Sequence, residues 1–382
     1  MKLIDLTTKL ISIPSFVGDD NNEVQLAEYI CKYIAENIPW MNVYKEYIDE
    51  KRFNVIAYGS KAPRVIFSSH MDTVLATGNL QERLTAVQKD GQLFGLGACD
   101  MKGGLACSLY AMAKSKKALP VALVFTCDEE YYFAGIKKFI SDLKAGKLPL
   151  DNTTKPELVI FPEPSNLQIS YGCRGCVELE LTVSGRSAHA GRPMAGINAI
   201  EKSVDLVNVL RSNLAQKCMP ELGFTTVNLA SINGGVSVDG QIQSRANAIA
   251  DTARIVLDIR TASKLQDAKY IIARALEAAG VLDITLKEVV TRLDLAPYVA
   301  EEKKLKTLEK AISSAELKVE FDRNPAFGGY GEFAMVGTEL GWNAVNFGPG
   351  PGGTAHQIKE CVNVIDLDSV SRVYQELFKL LD

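Results

Sequence analysis

Arg64-Val-Ile-Phe-Ser-Ser-His-Met-Asp-Thr73 is the stretch from which the rest of the chain can be read. The apolar run Arg64 to Ser69 has the length and composition of a strand, and it gives way at once to a polar cluster holding His70 and Asp72. The pattern recurs. Pro120 to Cys127 is a second apolar run and delivers Asp128-Glu129-Glu130, and Leu158 to Phe161 is a third and delivers Pro162-Glu163. Phe53 to Tyr58 supplies a further strand. Helices expected at about 102–116 and 132–145 separate the later strands, and that alternation implies an α/β fold with helices on both faces of the sheet. Ligands of open α/β sheets collect outside the carboxyl ends of the strands, so these acids and the imidazole are expected on one rim.

Further out, Val24, Ala27, Ile30, Cys31, Ile34 and Ile38 recur at helical spacing, which predicts a helix over about 22–38. From residue 176 the order changes to strand Val177 to Val183, helix 195–213, strands Thr225 to Ile232 and Ala253 to Arg260, helix 264–279 and strand Leu282 to Val289. This βαββαβ order suggests an inserted ferredoxin-like domain. The alternation then resumes with a helix near 301–315 and a strand Ala344 to Phe347. A closing helix carries Leu367, Val370, Val373, Tyr374, Leu377, Phe378 and Leu381 on one stripe. A chain of 382 residues exceeds the ~250–300 at which one core stops growing. Two domains are therefore expected: 1–175 with 290–382, and the insertion 176–289.

A formal charge of −4, from 42 Lys+Arg against 46 Asp+Glu, gives no electrostatic footprint for nucleic acid or an anionic membrane. A small molecule or peptide is the expected partner. No segment approaches the ~20 apolar residues of a membrane span, so a cytoplasmic chain is expected. Eight cysteines in this length are too sparse for a disulfide scaffold and fit a reducing compartment. Cys173-Arg-Gly-Cys176 has the spacing of a redox pair or half a zinc site, but no second pair or nearby His completes it, and structural thiols are expected.

Only three histidines occur: His70, His189 in Ser-Ala-His-Ala-Gly-Arg-Pro, and His356 in Gly-Gly-Thr-Ala-His-Gln. Imidazole is the commonest metal ligand and the usual acid/base near neutrality. Side chains two apart in an extended segment face one way, so His70 can ligate a metal while Asp72 orients it; a capped strand end is the alternative. Asp100, in the glycine-flanked turn Gly95 to Gly104, is either a ligand or a helix N-cap. Glu129 and Glu130 can address a water and a metal, or be solvated surface. The loop Gly348-Pro-Gly-Pro-Gly-Gly353 is no phosphate cradle, because no Lys-Ser/Thr follows and its prolines remove N–H donors.

With those clusters in place, nearly the whole chain resembles the di-zinc amidohydrolase and exopeptidase family that includes acetylornithine deacetylase, succinyl-diaminopimelate desuccinylase and carboxypeptidase G. The resemblance rests on the order of Ile13-Pro14-Ser15, His70-x-Asp72, Asp100-Met-Lys-Gly-Gly, Asp128-Glu129-Glu130, Pro162-Glu163-Pro164, Gly185-x-x-x-His189, Asn247, Asp258-Ile-Arg260, Gly348-Pro-Gly, Ala355-His356-Gln and Glu360. It implies that His70 and Glu163 hold one Zn²⁺ and Glu130 and His356 the other, with Asp100 bridging and Asp72 orienting His70; Co²⁺ can substitute. It also implies a cis peptide at Asp100-Met101, Glu129 as general base, and His189 of the inserted domain as oxyanion stabiliser, with a homodimer formed through that domain. Two Zn²⁺ against three ligating carboxylates leave one positive charge for a bridging hydroxide to neutralise.

Arg260 matches a family arginine that pairs with the substrate carboxylate, assisted by Asn247; pairing of Arg260 with Asp258 is the alternative. The sequence departs from the family at Ser69, where Gly is usual, at Tyr131-Tyr132-Phe133, and at Gly328-Gly-Tyr-Gly-Glu332, which lacks the Ser/Thr-Asp of many relatives. The resemblance implies hydrolysis of an N-acyl amino acid, as deacetylase or desuccinylase, with an exopeptidase as the alternative using the same chemistry. A non-catalytic relative would lack the base or a ligand, and none is missing here.

Overall fold

The computed structural model describes all residues except 17, 19–21, 76–77, 216–218 and 323–328. Gly328, at the start of the glycine-rich segment noted above, lies outside the described residues. Two compact units result, one built from Met1–Tyr171, residues 300–322 and Gly331–Asp382, the other from Gly172–Val299 with Gly329 and Tyr330.

The first unit is organised by a mixed six-stranded sheet in the order Asn42–Tyr47, Phe53–Tyr58, Val121–Thr126, Val65–His70, Leu158–Phe161 and Ala344–Asn346. Val65–His70 runs parallel to both of its neighbours, whereas the two outer strands Asn42–Tyr47 and Phe53–Tyr58 are antiparallel. Every residue of Val65–His70 and Val121–Thr126 is buried, as two-sided helix cover requires. Lys102–Lys114 packs on Leu3–Ile11 and Val364–Leu380, and Ala134–Lys144 packs on Glu332–Leu340. Register brings the chemistry together. His70 lies abreast of Thr126 and Asn346 abreast of Phe161, so the segments that follow these strands leave the sheet at one edge.

The second unit has the βαββαβ order. Its antiparallel sheet runs Gln241–Gln243, Thr226–Val238, Thr252–Thr261, Gly175–Ser184, Thr285–Leu295, with helices Ala199–Leu214 and Ala268–Val281. Leu179, Leu181, Leu206, Leu210, Ile255, Leu257, Ile271 and Ala275 fill its core. The expected limits 176 and 289 both fall inside this unit. Pairing with Gly175–Ser184 carries the last long strand on to Leu295, opposite Cys176, and Tyr298–Val299 then pairs with Gly172–Cys173. No described helix is long and apolar enough to cross a membrane.

Candidate metal centre

His70 ends its strand with its ring buried. Nδ1 lies 3.0 Å from the Asp72 carbonyl oxygen and 3.5 Å from Asp72 Oδ1. Both are acceptors, so the ring proton belongs on Nδ1 and the Nε2 lone pair faces outward. That lone pair meets more acceptors: Asp100 Oδ1 at 3.1 Å and Glu163 Oε1 at 3.7 Å. Asp100 turns its other oxygen to the second imidazole, with Oδ2 3.4 Å from His356 Nε2, which is itself 3.1 Å from Glu130 Oε2. His70, Asp100 and Glu130 each bring a ligand atom within 4.8 Å of the others.

Asp72 does more than orient His70. Its Oδ1 accepts the backbone N–H of Glu129 at 3.1 Å and its Oδ2 that of Glu130 at 3.0 Å, so one buried carboxylate fixes both acids. The expected Asp72-to-His70 contact is correspondingly split, with the shorter distance running through the Asp72 carbonyl. Behind this loop, Glu23 Oε1 accepts the Asp128 N–H at 2.9 Å while its Oε2 pairs with Arg52 Nε at 3.1 Å.

Glycines allow the close approaches. A Cβ at Gly104 would lie 1.8 Å from the Pro162 carbonyl oxygen, and one at Gly348 would lie 2.3 Å from it. The helix after Asp100 and the loop before His356 can therefore both press on the Pro162-Glu163 backbone. The Asp100-Met101 peptide is cis, as the resemblance implies.

Crowding decides the electrostatics. Burial alone would depress His70, but Glu163, Asp100 and Asp72 hold its pKa well above the usual imidazole value. His356 rises to about 9, chiefly through its contact with Asp100 and then through Glu130. Burial would raise Asp100, yet His356 and His70 keep it below the usual carboxylate range. Glu130 is pushed up to about 7 by burial and by Asp100. Burial likewise drives Glu129 and Glu163 well above their ordinary values, reinforced by neighbouring carboxylates, Glu332 among them. Glu130 Oε1 is buried with no hydrogen-bond partner. Carboxylates crowded this closely around two imidazoles raise the proton affinity of most of the cluster, and divalent cations can take the place of those protons.

His189, Asn247 and Arg260 belong to the second unit. His189 is exposed, its Nδ1 accepts the Gly191 N–H at 3.1 Å, and the Asn247 carbonyl accepts the N–H of the adjacent Ala190 at 2.9 Å. Arg260 pairs with Asp258 through Nε at 2.8 Å and Nη2 at 3.0 Å, the alternative left open by its sequence. Cys173 and Cys176 are both buried and form no disulfide. Two residues near the centre gained no role from sequence. Lys102 is fully buried with Nζ donating to the Ile13 carbonyl at 2.7 Å, and Glu332 is buried with Oε2 accepting from Thr126 Oγ1 at 2.9 Å. A lysine two residues after a candidate ligand was the one available signal for the first.

Imidazoles and carboxylates that follow several strand ends thus bring ligand atoms together as a candidate metal centre. The chain belongs to peptidase family M20/M25/M40, which it matches over residues 66–380, and is a metal-dependent amidohydrolase. It is 27% identical to an acetylornithine deacetylase of Buchnera aphidicola subsp. Schizaphis graminum over 400 residues, covering 98% of this chain and 97% of that protein. It is 32% identical to a probable carboxypeptidase of Aspergillus terreus over 246 residues, covering 60% of this chain and about half, 53%, of that protein. The fold matches a dinuclear metal-binding peptidase of the M20 family from Bacillus subtilis at a TM-score of 0.70, with 16% identity and coverage of 99% and 97% of the two chains.

Proposed function

We propose that this protein hydrolyses the amide bond of an N-acyl amino acid, releasing a carboxylate and a free amino acid. The observation that carries the reading is Asp100, whose two oxygens face different imidazoles with Glu129 and Glu130 anchored beside them through Asp72. His70 and Glu163 would hold one divalent cation, Glu130 and His356 the other, and Asp100 both; Zn²⁺ suits this mixed imidazole and carboxylate set, and Co²⁺ can replace it. Bound cations supply Lewis acidity and lower the pKa of an attacking water towards ~7.

The chain's own residues do the rest. Glu129, a buried carboxylate whose proton affinity is raised by burial, takes a proton from the attacking water and passes it to the departing amine. Asp72 keeps that carboxyl in place through the Glu129 N–H. His189 stabilises the oxyanion. Because Nδ1 accepts from Gly191, its neutral ring carries the proton on Nε2 and offers a donor, which counts only as charge develops. Arg260 receives the substrate carboxylate through Nη1, since Asp258 engages Nε and Nη2, and Asn247 assists.

Near-complete coverage of the deacetylase relative supports a deacylase, and the higher identity to the carboxypeptidase, over a shorter stretch, supports the exopeptidase reading as second. A homodimer through the insertion, which would also serve as a lid, is supported by the outer edge of Thr226–Val238, where Gln241–Gln243 pairs only with Val236 to Val238. That the described cysteines form no disulfide supports a cytoplasmic setting. Amine release should be measured across N-acetyl and N-succinyl amino acids and dipeptides. Turnover of acyl amino acids above dipeptides is expected, and the reverse order would select the exopeptidase.

A further inference from the structure

We propose that Glu360 is a positioning residue of the metal centre, fixing the turn that presents Asp100 and locking it to the segment that presents His356. This rests on the reading of the site as a cation pair. Glu360 is 1% exposed. Its Oε1 accepts the backbone N–H groups of Cys99 at 3.0 Å and of Asp100 itself at 3.1 Å, and its Oε2 accepts that of Gly97 at 2.9 Å. Its carbonyl oxygen takes a fourth donor from the same turn, the Gly95 N–H, at 3.1 Å. Arg83 balances the charge with Nη2 3.5 Å from Oε2, while its Nη1 donates to the carbonyl of Ile358, two residues beyond His356. Immediately after Glu360, Cys361–Asn363 pairs antiparallel with Gln92–Phe94, the strand that leads into the turn.

The turn carrying Asp100 and the segment carrying His356 are thus one structural piece, joined through a carboxylate that touches neither imidazole. Two oxygens that only accept suit this cradle chemically. The donors aim at both oxygens, and an amide would present its own N–H groups to one set of them. Outer-shell groups that hold ligands in place set how tightly a metal binds, so Glu360 should govern cation affinity ahead of fold stability.

The test is Zn²⁺ affinity, measured by competition with a chromophoric chelator on metal-stripped wild type, E360Q, E360A and L181A, with circular dichroism reporting the fold. For E360Q and E360A we expect affinity to fall about 10- to 100-fold with the spectrum retained, and kcat to recover partly at high Zn²⁺. Leu181→Ala, in the core of the other unit, should lower Tm and leave Zn²⁺ affinity unchanged. Wild-type affinity in E360Q overturns the proposal. So does an unfolded E360Q, which would make Glu360 a folding residue, whereas an unfolded E360A leaves the decision to the isosteric variant. A wild-type protein that binds no Zn²⁺ is a different failure, that of the cation-pair reading itself.

Discussion

Oδ2 of Asp100 lies 3.4 Å from Nε2 of His356, while Oδ1 of the same carboxylate lies 3.1 Å from Nε2 of His70. One side chain therefore addresses both imidazoles. Replacement by Asn keeps the size and substitutes an N–H donor for one of the two oxygens. Asp100→Asn is expected to lose at least one cation equivalent and to lower kcat/KM by several orders of magnitude, read by metal analysis of the purified variant and by steady-state kinetics.

Glu129 is held by its own backbone N–H, so its side chain can be altered without moving the loop. For Glu129→Gln the expected result is unchanged metal content with kcat reduced by roughly 10²- to 10⁴-fold, the usual range for a lost general base. A near-normal rate would assign proton transfer elsewhere.

If His189 donates to the acyl oxygen as charge appears there, as proposed, His189→Ala should reduce kcat with little change in KM and no loss of Zn²⁺. Loss of metal in this variant would instead make the imidazole a ligand.

Glu46 offers a pH prediction away from the metal centre. Its carboxyl, 2% exposed and bound by Asn54 Nδ2 at 2.8 Å, is raised from 4.5 to about 7, first by burial and then by the facing Asp142. Between those values the folded state binds more protons than the unfolded state, so stability falls as pH rises from 4.5 through 7, by up to about 3 kcal/mol at ~1.4 kcal/mol per pH unit. Glu46→Gln retains the acceptor for Asn54 and cannot ionise. Its Tm should exceed that of wild type at pH 8, and the difference should shrink towards pH 4.5.

The sequence exposed the candidate metal centre because each candidate ligand stands at a break in pattern: His70, Glu130 and Glu163 follow apolar strands, and Asp100 and His356 lie in glycine-rich turns. Resemblance then supplied the roles. The strand Asn42–Tyr47 escaped notice because it is an outer strand, mostly exposed, and therefore carries no apolar run. The helix Glu332–Leu340 escaped because its first six residues are all buried, leaving no polar face to reveal a period. Long-range hydrogen bonds were equally hidden. Nothing local to Asp72 shows that it binds the Glu129 and Glu130 N–H groups, and nothing local to Glu360 points to the Gly97-to-Asp100 turn.

Amine release by chelator-stripped protein, titrated with Zn²⁺, addresses the central claim most directly. The account predicts no turnover of an N-acyl amino acid after stripping and full recovery at two cation equivalents per chain, with Asp100→Asn failing to recover. Undiminished turnover by the stripped protein would contradict it.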